Sequence, residues 1–239
     1  MEDFYELMRY LPASYKSEKD GEYISYLRET FEQNYQSDKY QFALLACHML
    51  YMSFVYFSIW QIKNTNPDDF AKSLIGFSKD DEKKLLEASS PFAFSVISET
   101  RIFRFLKLVG CENEAIGKFS SLVQQRNDIA HPNGNIYYND NASADARLSE
   151  ILTQIDAIQQ CMTPLIHKCI ECFLSNTIND IGPIYIDTED QIREVLIHSN
   201  YFSEKDIEAC LSYNINAIED EKIREYCERL LKILSDKFI

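Results

Sequence analysis

Residues 41–62 read QFALLACHMLYMSFVYFSIWQI and form the most apolar stretch of the chain. His48, Ser53 and Ser58 are its main interruptions. A run of this length could cross a bilayer, or it could be the central helix of a bundle or a dimer seam. The central histidine, the even spread of tyrosine and phenylalanine and the lack of a basic flank favour the buried helix. We therefore predict an all-α protein built around this helix, without a membrane partner.

The flanking sequence predicts further long helices. Ser37 is a suitable N-cap for the apolar helix. A second helix is predicted to begin at Pro91 and to end at Gly110, because proline favours the first turn and glycine the position after the last. A third is predicted over residues 143–177, where leucine and isoleucine recur on one stripe. With only six glycines and six prolines, the chain has few turn signals.

The helical pattern breaks at residues 179–183, NDIGP, which predicts a boundary. Two capping-box signatures follow, at residues 188–191 and 203–206, and each predicts a helix start. Three parts are expected: a helical lead-in at 1–36, a helical bundle at 37–182, and a small helical C-terminal region at 183–239.

Composition indicates a globular protein, since 46% of the residues are apolar and 13% are aromatic. The seven cysteines are an odd number without a disulfide framework, and no signal peptide is recognisable, so we expect reduced thiols in the cytoplasm. Cys169 and Cys172 stand near His167, but no second ligand pair is found, which favours buried structural cysteines over a zinc site. No phosphate-binding glycine loop or metal-ligand pattern is seen, and neither a metal nor a cofactor is predicted.

Residues 126–131, RNDIAH, are the strongest candidates for a catalytic site. Arg126 is a permanent cation that can grip a phosphate with two donors, and His131 can move a proton near neutral pH. Residues 118–125 predict an amphipathic helix leading into them. Pro132 disfavours helical backbone at His131, which should therefore sit at the helix end with its ring free.

This hexapeptide resembles the Arg-Asn-x-x-x-His signature of the HEPN (higher eukaryotes and prokaryotes nucleotide-binding) family, over about residues 37–178. The resemblance implies an up-and-down helical bundle and a metal-independent ribonuclease, of the kind found in toxins and phage-defence effectors. It implies that Arg126 and His131 are catalytic and that Asn127 orients them. It also implies a homodimer in which two motifs face one composite cleft.

HEPN nucleases often carry an acidic or polar residue on a neighbouring helix that steadies the motif. Glu99 is the best-placed candidate for this supporting role, and Asp128 is a second. An exposed helix charge near Arg101 or Arg104 is the alternative for Glu99.

Purely structural roles are also open for the motif itself. Arg126 could pair with Asp128 or another nearby carboxylate, and His131 could cap the helix through its dipole. In one HEPN subgroup, a partner enzyme modifies a tyrosine two residues after the histidine. Here that position is Asn133, so the resemblance does not extend to this control.

The formal net charge of −14 disfavours a general RNA-binding protein, since phosphate contacts depend on lysine and arginine. From Arg101 to His131, however, five basic residues stand against three acidic ones, a net charge of +2. A small basic island suits a selective nuclease.

These observations predict a cytoplasmic, metal-independent endoribonuclease that acts by 2′-hydroxyl attack. Its partners would be an RNA substrate, a second copy of the chain and, for a toxin, an antitoxin or regulatory partner. The alternative is a catalytically inactive HEPN-like module that binds a nucleotide or a protein.

Overall fold

The computed structural model describes residues 1–179, 185 and 187–238. Most of these residues lie in helices and none of them lies in a β-strand, so the predicted all-α class is confirmed; one isolated antiparallel β-bridge joins Pro12 and Ser203. The predicted boundary at 182/183 lies outside the described residues, and the three-part division stays a prediction.

The α-helices are α1 (Glu2–Met8), α2 (Glu18–Gln36), α3 (Tyr40–Thr65), α4 (Pro67–Ser73), α5 (Lys79–Leu86), α6 (Glu99–Ile102), α7 (Asn113–Ala130), α8 (Asn141–Asn179), α9 (Thr188–Gln191), α10 (Glu204–Leu211) and α11 (Glu221–Phe238). Short 3-10 segments cover Pro91–Val96, Phe103–Val109 and Ile215–Ala217, and a π-helical segment, Ile192–His198, continues α9.

Helix α3 is the centre of the molecule. It is long and apolar enough to span a membrane, with a mean hydropathy of 1.7, but 83% of its apolar window is buried against other elements. It packs along α2 and α8 and against the 3-10 segment Pro91–Val96. The burial of α3 on all sides agrees with its sequence, which is apolar all round and has no polar face.

The packing continues on both sides of this centre. Helix α8 contacts α1, α3 and α10, while α11 packs on α8 and α10. One core therefore includes side chains from residues 1–36, from the middle of the chain and from its C-terminal part, for example Phe4, Tyr51 and Leu234.

Two helix starts differ from the sequence prediction. Ser37 is the C-cap of α2 and not the N-cap of α3, which begins at Tyr40 after Lys39 without a side-chain cap. At α9 the cap is Asp187, whose side chain accepts from the Glu189 N–H, and not Thr188. The second capping box is confirmed, because Ser203 and Asp206 make both of its reciprocal bonds.

The predicted helix from Pro91 to Gly110 is divided. A 3-10 segment ends at Val96, Ile97 is extended with ψ of 139°, and α6 begins at Glu99. A second 3-10 segment then leads to Gly110, which adopts the predicted left-handed conformation with φ of 86°. The break places Glu99 in the first turn of a new helix.

Candidate functional site

Helix α7 ends at the predicted place. Its last residue is Ala130, and His131 is extended with ψ of 139°, as expected of a residue that precedes proline. The His131 backbone N–H still donates to Asn127 O at 3.1 Å. The residue is exposed, so its ring is open to a ligand or a partner.

Helix α3 anchors the chain on both sides of His131. The Gln41 side chain donates through Nε2 to Ile129 O at 3.0 Å and accepts through Oε1 from the Tyr137 N–H at 3.2 Å. Asn133 adds a second brace, since its Nδ2 donates to Asp128 O and to the Tyr137 hydroxyl, each at 2.9 Å. The loop that carries the histidine is therefore tied to both α3 and α7.

Arg126 pairs with Glu99, the supporting residue suggested by the resemblance. The Nη2 atom of Arg126 lies 2.5 Å from Oε1 of Glu99, and both side chains are about a quarter exposed (26% each). The alternative of an exposed Glu99 beside Arg101 or Arg104 is therefore not what the structure contains. The Arg126 Nε is buried without a hydrogen-bond partner among the described residues.

His48 completes a chain of three groups. Its Nε2 lies 3.0 Å from Glu99 Oε2, and its side chain is only 3% exposed. Burial lowers the pKa of His48 below its usual value, although Glu99 opposes this, so we assign the neutral form with Nε2 as donor near pH 7. Its Nδ1 is buried and has no partner in the described part of the chain.

Glu99 is held as a carboxylate. Burial alone would raise its pKa, but the hydrogen bond from His48 and the contact with Arg126 outweigh burial and lower it to about 2. With a neutral His48, the group of Arg126, Glu99 and His48 has a net charge of zero. Arg126 can therefore donate oriented hydrogen bonds to an anion such as a phosphate, but the group as a whole adds no net positive charge.

Arg126, Asn127 and Glu99 line one cleft of about 510 Å³. The other lining residues are Tyr56, Ser95, Ile97, Ser98, Thr100 and Val123. Within a single chain, His131 and Asp128 do not line this cleft. Asp128 instead accepts from Gln124 Nε2 at 3.3 Å on the exposed side of α7, and no contact between it and Arg126 is found among the described residues.

Glu99 also changes the local charge. It lies two residues before Arg101, and counting it reduces the charge of residues 99–131 to +1. Coulombic attraction at this site is therefore weaker than the sequence count indicated.

The cysteine and histidine candidates outside the motif make structural contacts or lie at the surface. Cys169 is buried and its Sγ lies 3.0 Å from the Thr65 hydroxyl, as predicted for a structural cysteine, but Cys172 is exposed and that part of the prediction is wrong. His167 Nε2 lies 3.0 Å from Ala209 O, on α10. Among the described residues, no cluster of histidine, cysteine and carboxylate groups suits a metal ion.

Two functional contacts were not found from the sequence. The sequence marks His48 only as an interruption of the apolar run, and nothing in its sequence neighbourhood indicates a partner 51 residues away. Gln41 was counted only as the first residue of the apolar run, although a polar side chain at the edge of such a run is a signal for a tertiary hydrogen bond.

Comparison of the chain with models of protein families, with curated proteins and with solved structures finds no match.

The neutral buried His48 makes stability depend on pH. Because its pKa is lowered in the folded state, the unfolded chain binds more protons below the usual value of 6.5, and stability falls as the pH drops through that value. Glu99, with a pKa of about 2, loses its stabilising effect only below its usual value of 4.5. We expect the melting temperature to fall between about pH 7 and about pH 5, and to fall less in a His48→Gln variant. Equal slopes in the two proteins would refute this role of His48.

Proposed function

We propose that this chain is a metal-independent endoribonuclease of the HEPN type, folded as an up-and-down bundle in which α2, α3, α7 and α8 are the principal helices. The observation that carries the proposal is the Arg126–Glu99 pair, in a cleft that Asn127 also lines. A carboxylate from another helix holds the guanidinium, as the resemblance to the HEPN motif implies. His131 stands exposed at the end of the same helix.

The chemistry follows from the two motif groups. The 2′-oxygen of a ribose attacks the adjacent phosphorus, a new P–O2′ bond forms, and the bond to the 5′-oxygen breaks. The products are a 2′,3′-cyclic phosphate and a 5′-hydroxyl. His131 moves the proton, and the free donors of Arg126 stabilise charge on the non-bridging oxygens. Asn127 orients the arginine within the cleft.

The proposed site is completed by a second copy of the chain. His131 and Arg126 do not line one cleft within a protomer, which supports an arrangement in which the histidine acts on a phosphate held by the partner's arginine, or in which both motifs face one shared cleft. A symmetric dimer with the α7 ends facing each other gives such an arrangement, because a two-fold axis brings the same surface of each chain together.

Mixed subunits test the shared site. The Arg126→Ala and His131→Ala proteins are each expected to be nearly inactive alone, and refolding or co-expressing them together should give mixed dimers with one intact pairing. We expect cleavage to return to roughly a quarter of the parent rate, since half of randomly paired dimers are mixed and each has one working site of two. No recovery in dimers shown to be mixed would refute a site shared between chains.

The direct test of the proposed activity is incubation of the purified protein with RNA in EDTA, followed by identification of the product ends. Cyclic phosphate at the 3′ side and hydroxyl at the 5′ side are expected. Ends carrying a 5′-phosphate, or cleavage that stops when EDTA is added, would contradict the proposal.

In the cell, we propose a cytoplasmic toxin or antiphage effector, restrained by an antitoxin or another regulatory partner. Expression of the parent should stop host growth, and the His131→Ala substitution should relieve the arrest.

A second function is favoured by the electrostatics. Glu99 neutralises Arg126, and the whole chain has a net charge of −14, which weakens binding of a polyanion. An inactive HEPN-like module that binds a nucleotide or a protein would fit these charges. Such a module would bind in the same cleft without cutting RNA, and its expression would not arrest growth.

A further inference from the structure

A second cavity adjoins the cleft that contains Arg126. It encloses about 510 Å³, and most of its wall is apolar. Tyr56, Ser95 and Glu99 line both spaces, so the two adjoin at the carboxylate that holds Arg126. The other lining residues are Lys19, Asp20, Tyr23, Met49, Met52, Ser53 and Phe92. We call this second space the apolar cavity.

The wall of the apolar cavity is aromatic and sulfur-containing. The rings of Tyr23 and Phe92 meet edge to face at 5.1 Å, and Tyr56 meets Phe92 at 6.4 Å. Met49 and Met52 add flexible, polarisable thioethers from α3. Such walls favour a flat, neutral, polarisable ring, because aromatic and thioether groups both pack well on π-systems.

The charges of the apolar cavity disfavour a second phosphate. Asp20 is buried, where it accepts hydrogen bonds from the Tyr201 hydroxyl at 3.0 Å and from the Ser90 hydroxyl at 3.2 Å. Glu99 lies at the junction with the Arg126 cleft and is ionised. Two carboxylates in a partly desolvated wall repel an anion but can accept N–H groups. Lys19 is exposed and is the basic residue of the wall.

We propose that the apolar cavity binds a nucleobase of the RNA strand, next to the phosphate held at Arg126. This inference rests on the proposed function and extends it to the part of the substrate that the motif itself does not explain. A nucleotide consists of an anionic phosphate and a neutral aromatic base. The two adjoining spaces match these two parts. The Arg126 cleft has hydrogen-bond donors for the phosphate, and the apolar cavity beyond Glu99 has an apolar wall for the base.

Base binding would also reconcile the acidic surface with an RNA substrate. Stacking of a base on an aromatic side chain contributes about 1–3 kcal/mol and needs no basic side chain. Affinity then depends less on phosphate contacts, which this chain is poorly equipped to make.

The test uses Ser95, which is exposed and lies at the junction of the two spaces, and its neighbour Val96, which is exposed and lines neither. Ser95→Phe places a large side chain at the junction of the two spaces, and Val96→Phe is the matched control. Both are combined with His131→Ala so that the RNA stays intact. Binding of fluorescein-labelled pentanucleotide RNAs is measured by anisotropy, together with RNAs that lack one base at each position in turn.

We expect Ser95→Phe to weaken binding of intact RNA by about tenfold, the effect of one lost stacked base, and Val96→Phe to change it less than about twofold. Removal of one particular base should weaken RNA binding to the His131→Ala protein by the same factor as Ser95→Phe does. With that base absent, adding Ser95→Phe should cause no further loss of affinity. Thermal melting confirms that both variants are folded. Equal binding by Ser95→Phe and Val96→Phe, or an additive loss when the base is removed as well, would overturn the proposal.

The two proposals fail separately. If the parent cleaves RNA in EDTA but no base removal weakens binding, the nuclease stands and the base site is wrong. If the parent binds RNA in a base-dependent manner that Ser95→Phe abolishes but never cleaves it, the base site stands and the proposed activity is wrong.

Discussion

His131→Ala and Arg126→Ala are each expected to slow RNA cleavage by about 10²- to 10⁴-fold, and they form the largest effect predicted for this chain. His131→Ala removes the proton-transfer group, while Arg126→Ala removes the donors that stabilise charge on the phosphate oxygens. The measurement is the initial rate of cleavage of a labelled RNA in EDTA. Variants that cleave as fast as the parent would end the nuclease assignment.

The two variants need different controls. His131 is exposed, so its replacement should leave the melting temperature unchanged and separates chemistry from folding. Arg126 also neutralises Glu99, and its loss leaves a partly buried carboxylate with His48 as its partner. Arg126→Lys keeps the charge but lacks the planar set of donors. We expect it to retain the fold while cleavage stays strongly reduced.

Asp206→Ala is expected to cost the most stability, on the order of 3–5 kcal/mol in the free energy of unfolding, from buried donors left without an acceptor and a lost helix cap. The Asp206 side chain is 3% exposed and joins three elements. Its Oδ2 accepts from Gln61 Nε2 on α3 and from the Ser203 N–H, each at 2.9 Å, and its Oδ1 accepts from Gln159 Nε2 on α8 at 2.8 Å. Alanine would leave two buried amide groups without an acceptor and remove half of the capping box.

Urea unfolding of Asp206→Ala beside Glu208→Ala measures this effect. Glu208 lies on the same helix, but its ion pairs with Arg9 and Lys205 are at the surface and should contribute less than about 1 kcal/mol. If the two substitutions lower stability equally, the buried network does not hold α10 on the bundle.

The helices that the sequence predicted well are those whose signal is local. The apolar run at 41–62 forms α3, and the motif helix ends before His131 because proline restricts the residue that precedes it. Ser37 was wrongly taken as the start of α3, because a serine suits a cap at several neighbouring positions and packing selects one of them.

The site was predictable only in part. The pattern of residues 126–131 indicated the motif, and the resemblance to HEPN nucleases suggested Glu99, which the structure places against Arg126. The division of the segment from Pro91 to Gly110 was not predictable, because its apolar residues suit one continuous helix as well as three short turns. The contact of His48 with Glu99 depends on how α3 and α6 pack, which no local pattern encodes.

The single core has a consequence for every experiment on the cleft. Since α1 and α10 both rest on α8, and α2 on α3, destabilising one of these helices also weakens the core that the others share. A substitution far from Arg126, such as one in α1, would then lower the fraction of folded, active molecules without altering the turnover number of each folded molecule. Titration of active sites is what separates such a loss from a chemical defect.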